Sequence, residues 1–243
     1  MNFRKCYGLD FSWTTLPIRM FWKKLFRRQE VSKHDFVLAY ETLFSKPIPS
    51  VRRIAHLDFI VIDTETTGLN TKTDEILSFG GIKVRSNRIF VSSAIELNLE
   101  VSASSANSAH IHQIIVSEKP LSKDLFAKSV LSYLGRDIVV GHHIGFDRAM
   151  LENVLKPYGL KYLINPFLDT ATLASRLENG PRHESKFDQP GAYSLEALCE
   201  RYEIPVEDRH TASGDAYLTA QLLIKLLKIA ETKGIKEFGD LIK

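Results

Sequence analysis

Leu57-Asp58-Phe59-Ile60-Val61-Ile62-Asp63-Thr64-Glu65-Thr66-Thr67-Gly68 is the stretch on which the reading of this chain turns. Its first six residues form a short apolar run rich in β-branched side chains. That is the composition of a central strand buried on both faces. Asp63 and Glu65 stand at the carboxyl end of this run. In a strand, residues i and i+2 point to the same face, so the two carboxylates project together beside an apolar core. Two like charges, each partly desolvated, are costly unless something compensates them. A divalent cation would do so. A turn at Thr66-Thr67-Gly68 with backbone donors would also do so, and the D-x-E pair alone does not choose.

Working outward, residues 75–84 and 88–99 read as two further strands joined by a turn at Ser86-Asn87. Residues 121–134 read as a helix, and Asp137-Ile138-Val139-Val140 as another buried strand. A helix over 146–157 ends near Pro157 and Gly159, and another spans 169–178. Gly180 to Gly191 is a polar loop. Ser194 can cap a helix over 195–202. The last strong element runs from Thr211 to Ala230, with Ala212, Ala216, Ala220, Leu223 and Leu227 on adjoining faces. Strands first, then strands alternating with helices, predict an α/β fold: a mixed sheet with helices packed on both sides.

Upstream of the decisive stretch, Phe36, Val37, Tyr40, Leu43 and Phe44 fall at helical spacing over 33–45. Pro47 and Pro49 stop that helix and mark a boundary. The expected division is therefore a helical N-terminal extension over 1–55 and one folded domain over 56–243. The chain has 243 residues and a net charge of +3. Residues 1–55 hold 11 Lys/Arg against 4 Asp/Glu, whereas the remainder holds 21 against 25. A basic extension thus precedes a mildly acidic domain. Phe21-Trp22-Lys23-Lys24-Leu25-Phe26-Arg27-Arg28 interleaves aromatics with cations, which suits nucleic acid, an anionic surface or a protein partner.

Two cysteines, Cys6 and Cys199, form no C-x-x-C pair, so neither a disulfide framework nor a cysteine zinc site is expected. No apolar run approaches the roughly 18 residues that span a bilayer. The start, Met1-Asn2-Phe3-Arg4-Lys5, lacks a continuous apolar run and cleavage site and is not read as a signal peptide. A cytoplasmic location is the expectation.

Three further residues join Asp63 and Glu65. Asp147 follows the strand 137–140 in Gly141-His142-His143-Ile144-Gly145-Phe146-Asp147, in the first turn of a helix, where the dipole favours a carboxylate. His210 and Asp215 flank the start of the last helix in His210-Thr211-Ala212-Ser213-Gly214-Asp215. Each has a bland explanation: a helix-start acid, or a surface His-Asp pair. His142-His143 has no partner at zinc-ligand spacing. Together, however, four acids at the ends of separate elements can converge on two divalent cations about 3.5–4 Å apart. Carboxylates and water suit Mg²⁺ or Mn²⁺. Histidine as a residue type titrates near neutral pH and can take a proton from an attacking water.

In these three motifs the chain resembles the DEDDh 3′→5′ exonucleases, typified by the proofreading subunit of bacterial replicative polymerases. The resemblance covers about residues 57–230. Its first motif is Asp63 to Gly68, its second His142 to Asp147, and its third His210 to Asp215 with H-x-A-x-x-D spacing. His112-Gln113-Ile114 looks like the family's intermediate His-Gly-Ile element. The resemblance implies an RNase H-like fold with a five-stranded mixed sheet. It implies two ions, Mg²⁺ or Mn²⁺, held by Asp63, Glu65, Asp147 and Asp215, with His210 as general base. It also implies nucleoside 5′-monophosphate products. Thr66, Gly68 and Leu69 would line the pocket of the terminal nucleotide, with His112 near it.

His143 stands where the family usually has Asn, and Gln113 where Gly is common. The leading expectation is hydrolysis at 3′ ends of DNA, single-stranded or frayed, with a polymerase as a candidate partner through the extension. DNA ranks ahead of RNA, but the motifs do not read the sugar, and an exoribonuclease of the same family stays open. A non-catalytic nucleic-acid or polymerase-binding module on the same fold is the alternative from another class.

Overall fold

The computed structural model describes residues 32–100, 120–181, 183, 188–206 and 210–242. By contacts the chain divides into Met1–Ser32 and Lys33–Lys243, and the sheet and its helices belong to the second unit. The basic aromatic segment around Trp22 to Arg28, and His112, fall outside the described residues.

Five strands form one sheet: β1 (Asp58–Thr66), β2 (Ile76–Arg85), β3 (Arg88–Asn98), β4 (Ile138–Gly141) and β5 (Phe167–Asp169). Their order is β3-β2-β1-β4-β5. β2 runs antiparallel to both β1 and β3, while β1, β4 and β5 are parallel. The helices are α1 (Asp35–Thr42), α2 (Lys123–Leu134), α3 (Gly145–Leu155), α4 (Thr170–Asn179), α5 (Leu195–Arg201), α6 (Ala212–Thr232) and α7 (Phe238–Leu241).

Strand alternation divides the core into two layers. Phe59, Val61, Ile82 and Val84 point to one face and pack with Leu218, Leu222, Leu223 and Leu226 of α6. Ile60, Ile62 and Phe79 point to the other and pack with Phe126, Val130 and Leu131 of α2 and Met150 and Leu151 of α3. Because both faces are covered, β1 is apolar in every position from Phe59 to Ile62. The mixed five-stranded sheet between helices is the expected fold.

The expected elements recur within a few residues. β1 carries the two acids at its carboxyl end as expected and runs on to Thr66. The helix expected over 146–157 stops at Leu155, and Lys156–Tyr158 forms a 3₁₀ turn, because Pro157 has no N–H to donate. β5 has three residues and α7 four, too short to impose a period on the sequence. At Ser86-Asn87 both residues have positive φ, 47° and 57°, the two-residue turn that matches strand twist.

Helix α1 packs into the Lys33–Lys243 unit. Val37 and Tyr40 are buried in the layer that holds α2 and α3. The Tyr40 hydroxyl donates to Asn165 Oδ1 at 2.5 Å and accepts from Ile164 N at 2.9 Å. Burial pushes this phenol up to about 12. Asn165 in turn donates to the Gly135 and Asp137 carbonyls. His34 N donates to Tyr158 O at 3.1 Å, and Ile54 N to Lys236 O at 2.9 Å, so the segment before β1 is fastened at both ends. No helix among the described residues is long and apolar enough to cross a membrane.

Candidate active site

The site lies at the carboxyl end of β1. Asp63 and Glu65 emerge two residues apart on the face that α6 covers, as strand alternation requires. α6 begins over the same point. Its N-cap Thr211 accepts a hydrogen bond from Gly214 N at 3.1 Å, and Asp215 follows in the first turn, 9% exposed. Ligand oxygens of Asp63, Glu65 and Asp215 lie within 4.8 Å of one another. The helix reaches this position by lying on Gly80, the β2 partner of Asp63. A Cβ on Gly80 would come within 2.1 Å of the Ala212 carbonyl carbon and 2.4 Å of Ser213 N, so only glycine permits the approach.

Asp147 arrives from the opposite face on α3 and falls outside that cluster. One of its oxygens, Oδ1, accepts from Thr64 N at 2.9 Å and from Thr64 Oγ1 at 2.7 Å. The side chain is buried, 5% exposed, and burial raises its carboxyl to about 6, although the two Thr64 hydrogen bonds pull it down. Asp147 is thus held against the residue between the two β1 acids.

The loop before α3 is built from small polar contacts. Ile144 N donates to Asp169 Oδ2 at 2.9 Å, while Asp169 Oδ1 caps α4 by accepting from Thr172 N. His142 Nδ1 lies 3.0 Å from Thr170 Oγ1. Its Nε2 is buried. Burial, reinforced by the neighbouring His143, depresses the His142 imidazole to about 4, so it is neutral at physiological pH. His143 is exposed with φ +55°, a left-handed conformation that Asn adopts more readily than His. That conformation gives a backbone reason for the family's usual Asn at this position.

Thr66 Oγ1 donates to Gly68 O at 2.8 Å. The next loop is folded around Asp74, which accepts from Asn70 N at 2.7 Å and Thr67 Oγ1 at 3.3 Å. It displays Leu69, 87% exposed, beside the acidic cluster's strand. His210 is exposed on the turn immediately before Thr211, with φ +68°. Of the residues singled out from sequence, then, the fold brings Asp63, Glu65 and Asp215 together. It ties Asp147 to Thr64 and sets His210 at the foot of α6. His112 lies outside the described residues.

Sequence reading passes over Thr64, Gly80 and Asp169. Gly80-Gly81 inside a strand pattern is a signal for close backbone approach, and Asp169-Thr170-Ala171-Thr172 carries an N-cap signal. Nothing in the sequence points to the Thr64–Asp147 pair. Chemically, three carboxylates converging with oxygen donors only are suited to a hard divalent cation, whose charge would offset their repulsion.

Comparison with known proteins gives the family. A family model described as Exonuclease, RNase_T, matches residues 60–223. The protein named DNA polymerase III PolC-type from Caldanaerobacter subterraneus is 28% identical over 186 residues, covering 76% of this chain and 12% of that protein. Its namesake from Bacillus subtilis is 27% identical over 220 residues, covering 86% and 15%. The chain therefore spans under a sixth of the length of these curated relatives. Among solved structures, Escherichia coli exonuclease I in complex with a dT13 oligonucleotide superposes with a TM-score of 0.57 at 16% identity, over 74% of this chain and 43% of that one. With the family model matched from β1 into α6 and all three DEDDh motifs inside it, this chain belongs to the RNase_T exonuclease family, as a DEDDh-type 3′→5′ exonuclease.

Proposed function

We propose that this chain hydrolyses phosphodiester bonds from the 3′ ends of DNA, single-stranded or frayed, and releases nucleoside 5′-monophosphates. The observation that carries the reading is the approach of Asp63, Glu65 and Asp215 to within 4.8 Å. With Asp147 they form an oxygen-only donor set suited to two Mg²⁺ or Mn²⁺ ions. Bound there, such ions would activate a water and offset charge at the leaving 3′ oxygen. The carboxylates of β1 and α6 supply negative charge from rigid backbone, while Thr64 fixes the orientation of Asp147. His210 is the proposed base that takes the water proton as the water oxygen bonds to phosphorus and the P–O3′ bond breaks. Its exposed place on the turn before α6 leaves its ring reachable from solvent. Thr66, Gly68 and Leu69 are proposed to receive the terminal nucleotide, with the displayed Leu69 side chain as an apolar surface for the base. His112 is proposed to lie near it.

DNA ranks ahead of RNA because relatives are named as DNA polymerases and the superposed exonuclease I carries a dT13 strand. A polymerase or other protein partner, reached through the basic N-terminal segment, is proposed on the same names and on that segment's charge. Removing residues 1–31 should weaken DNA affinity and flatten its salt dependence. The truncation stops there because α1 is buried in the domain.

The test is a 5′-labelled oligonucleotide incubated with Mg²⁺. Wild type should shorten it from the 3′ end and release 5′-monophosphates. Asp63→Ala and His210→Ala should lose roughly 10²-fold or more of the rate, the order expected when a general base is removed. Variants as active as wild type would refute the assignment, and faster cutting of the matching RNA would transfer it to the ribonuclease reading.

A further inference from the structure

The register of the sheet places a fifth carboxylate in the row that begins with Asp63. Asp63 pairs with Gly80 on β2, and Gly80 pairs with Glu96 on β3. Cross-strand partners share a face, so Glu96 stands on the α6 side, separated from Asp63 by the glycine on which α6 rests. Ser213, two residues before Asp215, donates its Oγ hydrogen to Glu96 Oε2 across this gap. The contact joins residues 117 positions apart in sequence and is partly buried.

We propose that Glu96 is a positioning residue: by holding Ser213 it fixes the first turn of α6 so that Asp215 meets Asp63 and Glu65. Three acidic groups brought within 4.8 Å repel one another, and repulsion pushes the first turn of α6 off the sheet. Contacts described at the start of the helix oppose that push. Thr211 caps from within the chain. Gly80 allows backbone contact but, having no side chain, supplies no bond of its own. Glu96 ties the turn to the sheet by a charge-assisted hydrogen bond, which is stronger than a neutral one. The next row of the sheet, Glu65–Ser78–Asn98, leaves Ser78 Oγ and Asn98 Oδ1 buried without a partner among the described residues.

The role rests on the proposed metal site, and two measurements separate its failure from the failure of that reading. The first is a double-mutant cycle on melting temperature in EDTA with Glu96→Ala, Ser213→Ala and the pair. A tether makes the two losses non-additive, the double variant melting close to either single one. Additive losses would overturn the proposal whatever the metal does. The second is Mn²⁺ titration by calorimetry. Wild type lacking Mn²⁺ binding would fault the metal site itself, leaving the cycle to judge the tether. If wild type binds, Glu96→Ala and Ser213→Ala should each weaken affinity about tenfold, the low end for residues that orient metal ligands. Glu96→Gln keeps an acceptor oxygen for Ser213 but not the charge, and should restore part of it. Unchanged affinity in both alanine variants would overturn the positioning role. A Glu96→Gln variant that binds Mn²⁺ as weakly as Glu96→Ala while Ser213→Ala binds as wild type would overturn it too, because Glu96 would then act without its hold on Ser213.

Discussion

Asp215 on α6 and Asp147 on α3 reach the carboxyl end of β1 from opposite faces of the sheet. Both sit in the first turn of a helix, and both are buried. Their surroundings differ. Asp215 is packed among like charges, Asp63 and Glu65. Asp147 is met by neutral donors, the amide and hydroxyl of Thr64. One side of the strand gathers three carboxylates, while on the other a single buried carboxylate is held by two hydrogen bonds from Thr64. Residue type and helix position are the same on both sides; what decides the role is which face of β1 each helix covers.

The largest test of this contrast is Asp215→Asn against Asp147→Asn. Asp215→Asn should abolish Mn²⁺ binding and lower exonuclease rate roughly 10³-fold or more, as loss of an electrostatic anchor does. In EDTA it removes one charge from the acidic cluster and should stay folded. Asp147→Asn should keep its Thr64 contact through the amide oxygen and stay folded, so a collapse of either variant on heating would break the comparison.

Next is Gly80→Ala on the α6 side. The added methyl would meet the Ala212 backbone at 2.1 Å, and helix backbone has no rotamer to yield. A loss of about 1–3 kcal/mol is expected on denaturant unfolding, together with weaker Mn²⁺ binding. Unchanged stability would mean that α6 does not need this approach.

On the α3 side, His142 gives a pH signature. Its folded-state value of about 4 lies below the ordinary 6.5. As pH falls from 6.5 the unfolded chain binds the proton first, so stability is lost between about pH 6.5 and 4 and regained as pH rises. The contribution is on the order of 3 kcal/mol. His142→Gln should flatten the stability slope over that window relative to wild type, and an identical slope would refute the burial argument.

The smallest expected effect is His143→Asn. Its φ of +55° suits Asn better, so about 0.5–1 kcal/mol of added stability is expected from thermal melts. A destabilised variant would show that the His143 ring makes a contact worth more than the relief of strain.

Much of this was legible in the chain. The apolar run before Asp63 marks a central strand because a strand covered on both faces has no polar alternate. Ser194 and the Ser86-Asn87 turn announce themselves by local chemistry, and both act as read. β5 was not legible: three residues carry no period, and Phe167–Asp169 becomes a strand only because β4 offers its edge. The hold of Thr64 on Asp147 was not legible either, since it spans 83 positions.

The sequence by itself determined the central strand, the alternation that puts Asp63 and Glu65 on one face, the helix starts that carry Asp147 and Asp215, and the family to which these motifs belong. Those features depend on neighbours a few residues apart, and local patterns record them. Only the tertiary structure decided that Asp215 joins the β1 acids while Asp147 rests on Thr64, and that Glu96 and Gly80 lie in one row with Asp63. Those outcomes depend on which helix covers which face and on how three strands align, and long-range packing fixes both.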